Sequence, residues 1–255
     1  MVMRVAISQP ARYFDSRAES FSATAWVRNT SLVHPFGSAL CSGSDLLILD
    51  AGGGPGALAR FLTGLCPQHR YVNLDLSVQM ARCAQAAGIS SAAGDIRRLP
   101  VRKASADVII ARQVLHYTEH PDAVLTEFRR ALKPEGRLLF GQFAPENRDE
   151  QNWIRGIVTV RQPLRIAYPT VEEWRSLLRS AGFDVIRYTR VPVTESLKSW
   201  LRRYPCSPLE KKRITDLFEE RRHRSQFPRI WRRGSDFYFR SWFSFFVARM
   251  ANSCE

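Results

Sequence analysis

"LLILDAGGGPGALARFL", Leu46 to Leu62, sets four glycines and one proline between a short apolar run and a helical stripe. "LLILD" is a continuous apolar segment ended by glycines, the pattern of a parallel strand buried on both faces. Glycine lets the chain turn sharply and lets a ligand approach the main chain, and the helix that follows presents free N–H groups. Ligands of an open parallel sheet bind beyond the carboxyl ends of its strands. The stretch therefore predicts a strand, a ligand-facing loop and a helix over Pro55 to Leu65.

The same unit recurs downstream. "YVNLD" reads as a strand and "SVQMARCAQAAG" as a helix, with Ser77 as N-cap and Gly88 as stop. "SSAAGD" is a short strand, and "ADVIIA", Ala106 to Ala111, is a β-branched one. In "HPDAVLTEFRRALKPEG" the apolar residues Val124, Leu125, Phe128 and Leu132 form a helical stripe, closed by a turn at Lys133 to Gly136. "RLLFGQF" is the next strand. Strands alternating with helices at this rhythm predict a parallel sheet with helices on both faces.

The flanks are less regular. Residues 1–44 read as a helical N-terminal arm, and residues 145–170 as a helical insertion that covers a pocket. A helix from Thr170 to Ala181, capped by Thr170 with Glu172 and Glu173 in its first turn, and a strand "FDVIRYTRV" follow. A second insertion, 194–234, holds two helices. "DFYFRSWFSFFVARM" closes the chain as an aromatic edge strand, a reading preferred to a membrane-surface element.

A chain of 255 residues with 45% hydrophobic content suffices for one large domain, here 1–255, with 45–144 as its ligand-binding core. It has no run of about 18 apolar residues, and "MVMRVAISQPARYFD" lacks the apolar core of a signal peptide, so a cytoplasmic protein is expected. Cys41, Cys66, Cys83, Cys206 and Cys254 never form a Cys-x-x-Cys spacing, and the five histidines are dispersed. Reduced thiols, no zinc site and no catalytic metal are expected.

The net charge of +14 is uneven. Residues 1–145 carry 16 basic and 11 acidic side chains, an excess of 5; residues 146–255 carry 22 and 13, an excess of 9. Such a balance attracts polyanions such as RNA, an anionic surface or an acidic carrier protein, and equally fits an arginine-rich background.

Three ligand classes use a glycine loop of this kind. A nucleoside-triphosphate loop ends in Gly-Lys-Ser/Thr, whereas this one ends in Gly56, Ala57 and Leu58. The dinucleotide fingerprint is met in its variant form by Gly52, Gly54 and Ala57, with Asp75 23 residues after Gly52, and spacing alone leaves it open. A different nucleoside ligand is favoured by Asp50 ahead of the glycines, by the full Asp-x-Gly-x-Gly-x-Gly pattern, and by Asp95 at the end of the third strand.

Together "LDAGGGPG", "NLDLSVQMARCA", "GDIRRLPVRKASADVIIARQVLHY" and "LKPEGRLLFGQF" resemble the class I S-adenosylmethionine-dependent methyltransferases, in particular the small-molecule branch typified by the ubiquinone/menaquinone biosynthesis enzymes. The resemblance runs from Leu46 to Phe143. It implies a Rossmann-like, doubly wound, mostly parallel seven-stranded sheet with an antiparallel last strand, and S-adenosylmethionine as cofactor. It further implies that Gly52, Gly54 and Gly56 line the methionine portion with Asp50 nearby, and that Asp75 accepts the ribose hydroxyls. Asp95 would accept the adenine amino group, Leu76 and Ile96 would sandwich the ring beside Met80, and Arg112 and Gln113 would border the site. Asp75 and Asp95 also fit turn or helix caps, and Leu76, Ile96 and Met80 also fit ordinary core.

Methyl transfer is an in-line displacement driven largely by positioning, worth about 7–11 kcal/mol in favourable systems. Where a base is needed, His116 beside Tyr117 is the candidate. Tyr13 resembles the arm aromatic that closes over the cofactor in such enzymes. Trp153, Tyr168, Trp174 and Trp200 are candidates for the acceptor pocket. "ARQVLHY" stands where base-amine methylation uses an Asn/Asp-Pro-Pro-aromatic motif, and Pro205-Cys206 lies far from the position of a pyrimidine-methylating nucleophile. The expected activity is methyl transfer to an oxygen, nitrogen or carbon of a small-molecule metabolite. The alternatives are an RNA or acyl-carrier-protein-bound acceptor, or a non-methylating use of the sulfonium as electrophile.

Overall fold

The computed structural model describes residues 9–21, 29–41, 43, 45–202, 206–223 and 229–251. Eight strands form one sheet in the order β3-β2-β1-β4-β5-β8-β6, with β7 paired to the outer part of β8. They are β1 (Leu47–Ala51), β2 (Arg70–Asp75), β3 (Ser91–Ala93), β4 (Ala106–Arg112), β5 (Leu132–Phe143), β6 (Phe183–Ser196), β7 (Arg229–Arg233) and β8 (Asp236–Met250). Strands β1 to β5 are mutually parallel, while β8 runs antiparallel to β5, β6 and β7. Moving from β1, the chain builds outward first through β2 and β3 and then, from β4, in the other direction. The order reverses between β1 and β4, which is where an open α/β sheet places its ligand.

The helices form for the reasons the sequence announces. After α1 (Gln9–Asp15), α2 (Ala18–Phe21) and α3 (His34–Leu40) comes α4 (Ala57–Leu65), which starts from Gly56 in the left-handed region at φ 73°. Helix α5 (Val78–Ala86) is capped by Ser77, whose hydroxyl accepts from Met80 N. Helix α6 (Pro121–Ala131) buries Val124, Leu125 and Phe128 against the sheet, and the following Lys133 to Gly136 segment bulges within β5 between register pairs 106↔132 and 108↔137. Helix α7 (Arg148–Arg161) lies in the first insertion, and α8 (Val171–Ser180) begins with a full Thr170/Glu173 capping box. Helices α9 (Leu197–Arg202) and α10 (Pro208–Arg222) occupy the second insertion.

Two apolar layers sandwich the sheet. One holds Leu49, Ile109, Phe128, Leu138 and Trp174, the other Ile48, Leu58, Ile110, Leu139 and Phe245. A third cluster lies apart from both and joins the insertions: Ile157 of α7, Leu197 and Leu201 of α9, Ile214 and Phe218 of α10, and Phe237 and Phe239 of β8. This is a cap with its own core.

Two expectations change. The last strand is not an edge: β8 lies between β5 and β6, bonded on both sides, because its aromatic residues pack both sheet faces. The second insertion also begins later than position 194, since β6 continues to Ser196, and it contributes the short strand β7 beside its two helices. Of the expected arm, residues 1–8 and 22–28 lie outside the described residues, as do Pro205 and Cys254.

Candidate functional site

The carboxyl ends of β1, β2, β4 and β5 open into a cavity of about 700 Å³, roofed by α1, α2 and the cap. That volume suits a nucleoside-sized ligand together with a small second molecule.

Its floor is the glycine loop, tied to β2 through backbone and side chain. Gly52 N and Gly53 N both donate to Leu74 O, at 2.7 and 3.3 Å, and Gly54 N donates to Asp75 Oδ2 at 2.9 Å. Gly52, Gly54 and Gly56 have φ of 71°, 59° and 73°, a region costly for side-chain-bearing residues. Gly53 matters for another reason. A Cβ there would lie 2.0 Å from Asn73 Oδ1 and 2.5 Å from the Asp50 carboxyl, so the loop closes over two buried polar groups only if residue 53 is bare. Asn73 supports the loop from beneath, donating to Gly54 O at 3.0 Å and to Ser91 Oγ at 2.9 Å. Neither Gly53 nor Asn73 follows from the spaced-glycine pattern; three consecutive glycines were the available signal.

Asp50 is buried, and its Oδ2 has no hydrogen-bond partner among the described residues. Burial pushes its pKa up to about 7, with Arg112 pulling down and Asp75 pushing up. Arg112, from the end of β4, is equally buried, and desolvation lowers it to about 10 against the opposing pull of Asp50. Gln113 follows in the left-handed region at φ 57°, with a buried Nε2 that donates to nothing described. A buried acceptor on one strand and a buried donor on the next, facing one cavity, fit the ammonium and polar tail of an amino acid.

Asp75 lines the cavity while bracing the chain: Oδ1 accepts from Ser77 N and Oδ2 from Gly54 N, each at 2.9 Å. Burial raises its pKa, and these two amide bonds oppose the rise. The turn-cap reading and the ligand reading of Asp75 are thus compatible, since each carboxylate oxygen keeps a second acceptor site. Asp95 accepts from Arg97 N at 2.9 Å and pairs with the Arg97 guanidinium at 2.6 Å; burial works against its charge, but these contacts hold its pKa below the usual range. Leu76, 37% exposed, and Ile96 stand on the same cavity wall, with Met80 buried beneath. An apolar side chain left open beside two carboxylates suits a flat ring with polar edges.

His116 lies in the wall behind the fourth strand, in the 3-10 turn Leu115–Tyr117. Gln142 faces its Nδ1 with both amide atoms, Nε2 at 2.9 Å and Oε1 at 3.3 Å, and Gln142 Nε2 also donates to Gln113 Oε1 at 3.1 Å. Nδ1 accepts from the amide in one tautomer and donates to it in the other, so Gln142 holds the ring in either. Burial, and then the nearby Arg165, lower the His116 pKa well below 6.5, so the ring is neutral at physiological pH.

The roof departs from expectation at the arm. Phe14, not Tyr13, lines the cavity, packing edge-on against Tyr117 at 5.1 Å with Phe21 behind it at 6.1 Å. The Tyr13 hydroxyl instead accepts from Arg17. One position along a helix turns a side chain by about 100°, which a search for an aromatic in the arm does not resolve. Of the four aromatic candidates, Trp153 and Trp200 line the cavity, whereas Trp174 packs on Phe140 in the core and Tyr168 is buried beside Arg165. Phe239 and Trp242 of β8 complete the acceptor end, having been read only as strand residues. Cys206 is buried in the cap core, with its thiol raised by burial, and it takes no part in the cavity. Among the described residues no group of histidine, cysteine or carboxylate side chains has the geometry of a metal site.

Comparison with known proteins bears on this geometry. Residues 49–140 match the methyltransferase domain family. A malonyl-[acyl-carrier protein] O-methyltransferase of Herminiimonas arsenicoxydans is 30% identical over 140 residues, covering 55% of this chain and 53% of that protein. The chain thus spans about half the length of that relative. In fold it is similar to the YcgJ protein of Bacillus subtilis, with TM-score 0.75 at 18% identity over 88% of this chain and all of the other. It is also similar to the Burkholderia thailandensis 1,6-didemethyltoxoflavin-N1-methyltransferase, solved with its acceptor and S-adenosylhomocysteine, with TM-score 0.58 at 17% identity, covering 98% and 94%. The matched segment ends within β5, so the cap lies outside it.

Proposed function

We propose that this chain, which carries a class I S-adenosylmethionine-dependent methyltransferase domain, transfers a methyl group to an oxygen, nitrogen or carbon of a small-molecule metabolite. One observation carries the reading: a single cavity joins the glycine loop and the carboxylates of β2 and β3 to an aromatic-lined chamber beneath the cap.

When bound, the cofactor supplies an electrophilic sulfonium methyl. The chain's own residues do the rest. Asp75 accepts from the ribose hydroxyls, Asp95 from the adenine amino group, and Leu76 and Ile96 flank the ring. The unpartnered Asp50 Oδ2 accepts from the ammonium, and Gly52 to Gly54 offer a backbone without side chains. Phe14 and the cap exclude water and hold the acceptor in line, which by itself supplies much of the acceleration. His116, held neutral by burial, is the general-base candidate toward the acceptor in the tautomer whose Nδ1–H donates to Gln142 Oε1. A kcat profile at saturating cofactor without an ionisation near pH 6.5 supports this; an acidic limb near 6.5 abolished by His116→Asn contradicts it.

A second reading places the acceptor on an acyl carrier protein. It is favoured by the relative's activity and by the cap's basic edge, where Arg229 stands directly opposite Arg240, a like-charge pair that an acidic partner would relieve. Incubation with cofactor and either a metabolite extract or a malonyl-loaded carrier, read by mass spectrometry, decides. Methylated metabolite plus S-adenosylhomocysteine supports the first reading and methylated carrier the second; methylthioadenosine alone contradicts both and indicates cleavage of the aminobutyrate arm.

A further inference from the structure

Away from the cavity, two thiols meet across the body of the domain. Cys41 follows the last residue of α3 and is exposed; Cys66 follows the last residue of α4 and is buried; their sulfurs are 3.6 Å apart. The contact is held by the framework around it. A Cβ at Gly37 of α3 would lie 2.4 Å from Leu65 Cδ2 of α4, so the two helices approach as closely as they do because residue 37 is glycine. The buried His69 ring then fixes the end of α3. Its Nδ1 accepts from Leu46 N at 3.4 Å and its Nε2 donates to Leu40 O at 2.9 Å, one tautomer satisfying both contacts. Tyr71 fixes the end of α4, its hydroxyl lying 3.2 Å from both Leu62 O and Cys66 O. Both helix ends are anchored, and the two sulfurs are left in contact between them.

We propose that Cys41 and Cys66 are a redox-active dithiol, a site of reversible covalent modification whose oxidant is a low-molecular-weight disulfide. The Cys41 thiolate attacks one sulfur of that disulfide, forming a mixed disulfide and releasing one small thiol. The Cys66 sulfur then attacks Cys41 Sγ, the Cys41 bond to the small molecule breaks, and a second small thiol leaves with the proton from Cys66. Two protein thiols are oxidised and one small disulfide is reduced to two thiols. Cys41 is the entry point because it is exposed. Burial pushes the Cys66 thiol up to about 11, so the second step is slow at neutral pH and accelerates with pH. The bond closes a loop that contains β1, the glycine loop and α4, and thus restrains the unfolded chain across the cofactor-binding half. Cys41, Cys66, Cys83 and Cys206 are all free thiols in the structure, and the proposal concerns a reversible change at the Cys41–Cys66 pair alone.

The test is a redox titration of the full chain with reduced and oxidised glutathione, read by intact mass and by a peptide map without reductant. The expected species is lighter by two hydrogens, carries a Cys41–Cys66 linkage, reverts with dithiothreitol and melts at a higher temperature than the reduced form. Cys41→Ser, an exposed and conservative change, should abolish both the linkage and the redox shift in melting temperature. A wild-type protein that accumulates only a glutathione adduct on Cys41, or links a different pair, overturns the proposal.

Discussion

The two ends of the cavity are built by different means. The cofactor end is made by neighbours in sequence: strand, turn and helix, repeated, with Asp50 and Asp75 in the last two residues of β1 and β2 and Asp95 two residues past the end of β3. The acceptor end is made by residues far apart: Trp153 of α7, Trp200 of α9 and Phe239 of β8 meet only because the two insertions and the overhanging part of β8 share a core. Backbone geometry sets the first end, which constrains its ligand tightly. Side-chain packing sets the second, which can change its ligand by repacking.

This contrast predicts separable effects, the largest at the cofactor end. Asp75→Ala removes a charged acceptor and also orphans Gly54 N and Ser77 N. Cofactor affinity should fall about 100-fold by calorimetry, as expected for loss of a charge-assisted hydrogen bond with its loop support. Gly53→Ala comes next. Its Cβ has no room beside Asn73 and Asp50, so the loop must shift, with affinity lowered about 30-fold and stability reduced by about 2 kcal/mol in denaturant unfolding. An unaffected Gly53→Ala protein would show that the loop is not set by backbone packing.

At the other end, Trp200→Ala removes the ring that carries the Arg161 guanidinium at 3.6 Å and packs on Phe239. It should raise KM for the acceptor about tenfold while leaving cofactor affinity within about twofold, the pattern of lost uniform binding at one end only. A comparable loss at both ends breaks the comparison.

The smallest effect is on pH dependence. The folded Asp50 pKa, about 7, lies above its unfolded value of 3.8, so the free protein favours the neutral acid. Its contribution to stability is therefore most favourable at low pH and declines as pH rises from 3.8 through 7. An ammonium prefers the ionised form, so cofactor affinity should increase about fivefold between pH 6 and pH 8, and Asp50→Asn should flatten that slope. An equal slope in the variant would assign the titration elsewhere.

The same division explains what the sequence discloses. The glycine loop, the Ser77 and Thr170 caps, and the strand ends bearing Asp75 and Asp95 are written in a few adjacent residues each, and they are legible. The place of β8 between β5 and β6 depends on pairing with residues more than forty positions away, and an aromatic strand reads alike at an edge or inside a sheet. The cavity role of Trp242, and of Phe14 in place of Tyr13, likewise depends on which way a side chain turns once distant elements have packed.

The most direct test is calorimetric titration of S-adenosylmethionine into the wild-type chain, Asp75→Ala and Trp200→Ala under one set of conditions. The account predicts one-to-one binding to the wild type, an affinity within about twofold of it in Trp200→Ala, and an affinity about 100-fold weaker in Asp75→Ala. Wild-type affinity in Asp75→Ala, or an equal loss in Trp200→Ala, would contradict it.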